Sequence, residues 1–250
     1  MNLELKLNEM AEKLYGKTIA ACTDAELYHS LLQFTKKQMA EKPVIEGKKK
    51  VYYVSMEFLI GKLLSCNLIN LGLYEEVRAV LEKNGMIDRL DRYVWDKVCA
   101  WIRSWIDRGF QPVPISINVS RVDIFSMDVP AYIFSLLEKY QLSEHYVKVE
   151  ITESAYTESD ERITSTVNIL RGKGFKVMMD DFGCGYSSLN MFKNIPVGVL
   201  KLDMRFLDIS ETEEEKGMNI LESVVNMARL LRLPIIVEGV ETEKQEQFVQ

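Results

Sequence analysis

Between residues 113 and 238, five short apolar runs alternate with stretches of helical period, and each run carries a polar residue at or near its C-terminal end. The runs are Val113–Asn118, Tyr146–Ile151, Phe175–Asp180, Val199–Asp203 and Pro234–Glu238. Helical patterns fall at about 129–141, 158–172, 187–194 and 211–232, with a further helix over 88–108 before the first run. Such repetition dictates right-handed crossovers and a parallel sheet, either doubly wound or closed toward a barrel. Gly172-Lys173-Gly174 stops a helix ahead of the third run. In the 88–108 helix the apolar positions Leu90, Tyr93, Val94, Val98, Trp101, Ile102 and Trp105 recur at three-to-four spacing.

The first part is written differently. Thr23-Asp24-Ala25-Glu26 is a capping box opening an amphipathic helix to about Lys42. A breaker segment, Pro43 to Lys50, comes next and ends in three lysines that read as a solvated loop. Val51–Ser55 is β-branched and aromatic and predicts a short strand, and 57–83 reads as two helices joined near Asn70-Leu71-Gly72. The expected organisation is a mainly helical segment over 1–85 and an α/β domain over 86–250.

Composition removes whole classes of function. Hydrophobic residues at 47% and charged residues at 27% are globular values. The run from Val51 to Leu64 is interrupted by Glu57 and Lys62, so no stretch reaches the roughly 20 apolar residues of a membrane helix. The N-terminus lacks a signal-peptide pattern, and cytoplasmic location is the expectation. Cys22, Cys66, Cys99 and Cys184 form no Cys-x-x-Cys pair and read as free thiols. With only His29 and His145, histidine-rich metal sites and histidine triads are disfavoured. The formal charge of −6 divides as +1 over residues 1–86 and −7 over 87–250. An acidic second part argues against duplex nucleic acid, which calls for a basic stripe.

The strand endings carry the chemistry. Asn118, Glu150, Asp180-Asp181, Lys201 and Glu238 would converge at one rim if every strand points the same way. Alternation supports a shared orientation, with Ile115 and Ile117 opposed to Ser116 and Asn118, and Val147, Val149 and Ile151 opposed to Lys148, Glu150 and Thr152. An all-oxygen donor set suits hard cations such as Mg²⁺ or Mn²⁺. A pair of such ions activates water and steadies a leaving oxygen in phosphodiester hydrolysis, with Lys201 placed to orient the water or neutralise developing charge. Polar residues at strand ends also cap helices or sit in turns, so any one alone means little; five such endings in succession mean more. Asp181-Phe182-Gly183 invites a kinase reading, but no glycine-rich loop precedes it and no His-Arg-Asp loop exists. Met178, Met179, Met191, Met218 and Met227 read as core.

These residues sit inside longer motifs. Ile117-Asn118-Val119-Ser120, Val149-Glu150-Ile151-Thr152-Glu153-Ser154, the run from Asp180 to Leu189, Leu200-Lys201-Leu202-Asp203 and Val237-Glu238-Gly239-Val240-Glu241-Thr242 occur in the order and spacing of one family. From about residue 82 to 250 the chain resembles the EAL family of cyclic-di-GMP phosphodiesterases. The resemblance implies a TIM-type (β/α) barrel that linearises cyclic-di-GMP to pGpG with Mg²⁺ or Mn²⁺. It further implies Asn118, Glu150, Asp180, Asp181 and Glu238 as metal ligands, with Lys201, Asp181 and Glu238 in catalysis. Glu153 corresponds to a glutamate that holds the loop after the third strand, and Asp203 matches only as part of its strand. An EAL homodimer is among the partners the resemblance admits. Three departures stand out: no Glu-Ala-Leu occurs in the chain, the sequence given stops before the family's Gln-Gly-Tyr segment and final strand, and Cys184 replaces a usual threonine. The expected consequence is an incomplete barrel with weak or absent turnover. The alternative is a module that binds cyclic-di-GMP or a protein without catalysis.

Residues 1–85 resemble the N-terminal segment of bacterial glycogen/maltodextrin phosphorylase, through Lys48–Leu64 and Asn67–Tyr74. That family's pyridoxal-phosphate lysine lies far beyond the matching stretch, so no pyridoxal phosphate site is expected, and a glycosyltransferase reading rests on the segment's resemblance alone. Glu82 to Ile87 fits both families, which makes the chain look like a chimera joined there. Residues 1–85 are then expected to pack poorly against residues 86–250, leaving Tyr52, Tyr53, Phe58 and Leu63 exposed.

Overall fold

A computed structural model describes residues 3–41, 68, 71–156, 161–183, 197–203, 214–238 and 240, with side chains at 203 and 214–221 outside the description. The expected strand over 51–55, the first helix after it, the helix near 187–194, Cys66, Cys184, and the four residues Tyr52, Tyr53, Phe58 and Leu63 lie outside the described residues. The backbone divides into two compact units, residues 1–104 and 105–250.

The described residues of the first unit form helices α1 (Leu3–Tyr15), α2 (Asp24–Ala40), α3 (Tyr74–Lys83) and most of α4 (Ile87–Asp107). The capping box forms at the expected residues, with the Thr23 hydroxyl accepting from the Glu26 amide at 3.3 Å and the Glu26 carboxylate accepting from the Thr23 amide at 2.8 Å. Leu7, Ala11, Leu27, Leu31, Phe34, Val77 and Leu81 build one core, and Met86, at 1% exposure, belongs to it. Ile87 and Leu90 pack on the same cluster. Arg89 pairs with Asp24 at 2.8 Å and donates to the Cys22 carbonyl, tying the start of α4 to the start of α2.

The first compact unit therefore runs past residue 85 to Ser104, with the first turn of α4 on the helical core. One difference from expectation concerns α4 itself. Its buried stripe is Trp95, Val98, Cys99 and Ile102, while Tyr93, Val94, Trp101 and Trp105 are half-buried. The helix is apolar on more than one face, and tertiary packing chose among them.

Among its described residues the second unit holds five strands: β1 (Ile115–Asn118), β2 (Val147–Thr152), β3 (Lys176–Phe182), β4 (Val199–Asp203) and β5 (Ile235–Glu238). All neighbouring pairs are parallel and the order is sequential, β1-β2-β3-β4-β5. A doubly wound sheet reverses strand order at a switch point. Among the described strands none occurs, so right-handed crossovers place successive helices on one side and the sheet is an arc of a (β/α) barrel. Helices α6 (Val129–Lys139), α7 (Glu161–Gly172) and α8 (Glu214–Leu230) fall close to the expected positions. A short helix, α5 (Arg121–Ser126), was not expected; its box uses Ser120 with Asp123 in place of glutamate. After α7 the Phe175 amide reaches the Leu170 carbonyl at 3.1 Å, and Gly174 adopts φ 92°, a C-terminal cap that needs glycine.

Met86→Ala in the first unit and Ile151→Ala in β2 (0% exposed) should each cost about 2–5 kcal/mol in urea unfolding. Met39→Ala, on a residue 48% exposed, should stay within about 0.5 kcal/mol. Equal costs at Met39 and Met86 would contradict the packing described.

Candidate active site

Lateral partners in a parallel sheet face the same way, and residues two apart on a strand share a face. Asn118 stands opposite Glu150, and Thr152 opposite Asp180. Met178, two before Asp180, stands opposite both Glu150 and Val199, and Val199 is two before Lys201. Lys201 stands opposite Ile236, two before Glu238. Asn118, Glu150, Asp180, Lys201 and Glu238 therefore occupy one face near the C-terminal ends of five successive strands.

Contacts draw four of them together. The Lys201 Nζ lies 2.8 Å from Asp180 Oδ1, 2.9 Å from Glu238 Oε1 and 3.1 Å from Glu150 Oε2. The lysine side chain is 4% exposed, Glu150 6% and Asp180 10%, while Glu238 at 42% opens the cluster to solvent. Burial pulls the Lys201 ammonium toward neutrality, but hydrogen bonds to Asp180 and Glu238 and the charges of Glu150 and Asp180 outweigh it. The net result holds the group above the ordinary lysine range, so it is a cation throughout neutral pH.

Asn118 and Asp181 flank this set. Asn118 is exposed at the end of β1. Asp181 follows Asp180 where the pairing of β3 with β4 shifts between Met179 and Phe182, and its φ is 54°. A bulge releases adjacent residues from strict opposite-face alternation, the geometry a pair of successive aspartates requires at one rim. Asp tolerates the left-handed region better than most residues. Glu153, just past β2 and 5% exposed, accepts from the Gly183 amide at 2.7 Å, and Gly183 has φ 97°. The bond joins the end of β2 to the residue that leaves β3. From the sequence Gly183 stands only as the last residue of Asp181-Phe182-Gly183, with no role of its own.

The donors suit a hard divalent cation: three carboxylates against one ammonium leave two uncompensated negative charges, with Asn118 and Asp181 beside them. Among the described residues, no three of His, Cys, Asp or Glu form a ready-made metal cage. The carboxylates are gathered around Lys201. The lysine expected to contact a water is the cation on which the acids converge.

Residues 63–250 match the EAL domain family. The chain belongs to the EAL-domain family. It is 33% identical over 174 residues to the signaling protein YkoW of Bacillus subtilis, a match covering 70% of this chain and 22% of that protein. The solved PaMucR phosphodiesterase, a c-di-GMP complex, superposes with a TM-score of 0.61 at 28% identity, covering 70% of this chain and 76% of that one. A third relative is of another kind: maltodextrin phosphorylase of Streptococcus pneumoniae is 57% identical over 81 residues, 32% of this chain and 11% of that protein. The chain thus spans about a fifth of the first EAL relative's length and a smaller share of the phosphorylase.

Glu153→Ala removes the acceptor of a part-buried amide and should cost about 1–3 kcal/mol. Hydrogen exchange at the Gly183 amide should accelerate in Glu153→Ala and remain slow in Glu153→Gln, whose side-chain carbonyl still accepts. Unchanged protection in Glu153→Ala would show that this bond does not hold the end of β3.

Proposed function

We propose that residues 86–250 act as a cyclic-di-GMP phosphodiesterase domain with reduced turnover, hydrolysing the cyclic dinucleotide to pGpG. The observation that carries this reading is the convergence of Glu150, Asp180 and Glu238 on Lys201 at the strand ends of an EAL-family barrel arc. Asn118, Glu150, Asp180, Asp181 and Glu238 would hold the divalent cation, Mg²⁺ or Mn²⁺. When bound, it supplies Lewis-acid polarisation and a water acidic enough to attack phosphorus. Lys201, protonated near neutrality, cannot serve as a base; it offsets negative charge growing on the phosphoryl oxygens. Proton removal from the attacking water falls to a carboxylate, Asp181 or Glu238. Glu153 keeps the segment after β3 in register with the site through Gly183.

The absence of Glu-Ala-Leu removes the family's early carboxylate and motivates both the reduced turnover and a second reading, a module that binds cyclic-di-GMP without cleaving it. Loss of one such electrostatic group costs about 10²-fold or more in rate. Residues 1–85 we read as a phosphorylase-derived segment without a pyridoxal phosphate site, joined to the EAL part across Glu82–Ile87 by recombination or sequence assembly. Cytoplasmic location accords with the ligand; among the described residues no helix is long and apolar enough to cross a membrane.

With protein in excess over cyclic-di-GMP and Mn²⁺ present, chromatography should resolve slow pGpG formation that Asp180→Asn abolishes. Ligand binding without pGpG would establish the second reading. Neither binding nor cleavage would overturn both.

A further inference from the structure

A cation-binding cluster normally leaves its acids to face one another until the ion arrives. Here Lys201 sits among them, with each of three carboxylates within 3.1 Å of one ammonium nitrogen. A divalent ion bound by those oxygens must share them with a positive charge only a few ångströms away. The lysine is reached from β4, is 4% exposed, and is held from three different strands, so it has little room to retire without breaking ion pairs.

We propose that Lys201 is a built-in competitor for the divalent cation, an internal counter-ion that sets the metal affinity of this site. The inference rests on reading Glu150, Asp180 and Glu238 as metal ligands. The opposing possibility is that Lys201 aids binding by orienting the acids. Charge decides between them. Even under water-like screening, a unit charge about 4 Å from a doubly charged ion weakens affinity by more than tenfold. Orientation is already supplied by the backbone: Glu150, Asp180 and Glu238 stand on paired strands whose register is fixed without Lys201. Removing the lysine should therefore tighten metal binding while making the metal-stripped protein less stable, because two acids at most 10% exposed lose their counter-charge.

The full chain would be titrated with Mn²⁺ by calorimetry at one fixed pH, as wild type, Lys201→Met, Lys201→Gln and Lys201→Arg. Metal-stripped samples would be melted in parallel. Both neutral variants should bind Mn²⁺ about tenfold or more tightly than wild type, melt lower when stripped, and show the larger rise in melting temperature on adding metal. Lys201→Arg, which keeps the charge, should remain near wild type. If the neutral variants fail to fold, lysine-selective NMR of the wild-type ammonium decides: diamagnetic Mg²⁺ should shift or remove the Lys201 signal in proportion to occupancy. Equal or weaker Mn²⁺ binding in the neutral variants, or an ammonium signal indifferent to Mg²⁺, overturns the competition and leaves the metal-site reading standing. No binding by any of the four proteins overturns the metal site and the competition together.

Discussion

One ammonium group organises the acid-rich rim of the barrel arc. Three carboxylates brought to adjacent strand ends repel one another, and at low dielectric that repulsion is severe. Lys201 makes the arrangement stable by pairing with Glu150, Asp180 and Glu238 at once. Buried ion clusters are poor sources of net stability because desolvation offsets much of the attraction. Their value lies in specificity. A one-residue slip of β4 would turn Lys201 to the opposite face and leave Glu150 and Asp180 unpaired, so the cluster exists only in the observed register.

The same logic explains the surrounding backbone. Two consecutive aspartates cannot both serve one face of a regular strand. The irregular pairing between Met179 and Phe182 and the left-handed Asp181 relax that rule where β3 ends. Gly183 then continues in a conformation that excludes side chains, and its amide is taken up by Glu153 from the neighbouring strand's end. Local strain at a rim is tolerable because Val177, Met178 and Met179, at most 2% exposed, anchor the strand below it.

Features fixed by nearby residues could be read from the chain. The Thr23–Glu26 box, the glycine stop after α7 and the five strand endings depend on spacing of a few residues, and each stands where it was expected. Features fixed by distant partners could not. The bulge at Asp180-Asp181 arises only when β3 meets β4. Lys201 shows as a polar strand end, yet its three partners come from β2, β3 and β5. The stripe of α4 that is buried runs through Trp95 and Cys99 rather than Tyr93 and Trp101, since a helix apolar on several faces leaves the choice to its neighbours. A hydrophobic core takes whatever apolar surface is adjacent, and Met86, Ile87 and Leu90 pack on the helical one.

The convergence of non-adjacent strands on one ammonium is most directly measured by a double-mutant cycle between Glu150 and Lys201, which lie on β2 and β4 with β3 between them. Unfolding free energies of wild type, Glu150→Gln, Lys201→Met and the double variant would be compared in the presence of chelator. A coupling of about 0.5–3 kcal/mol is expected for groups in contact at 3.1 Å. Additivity to within about 0.3–0.5 kcal/mol would mean that the two side chains do not meet, and would contradict the account of the site.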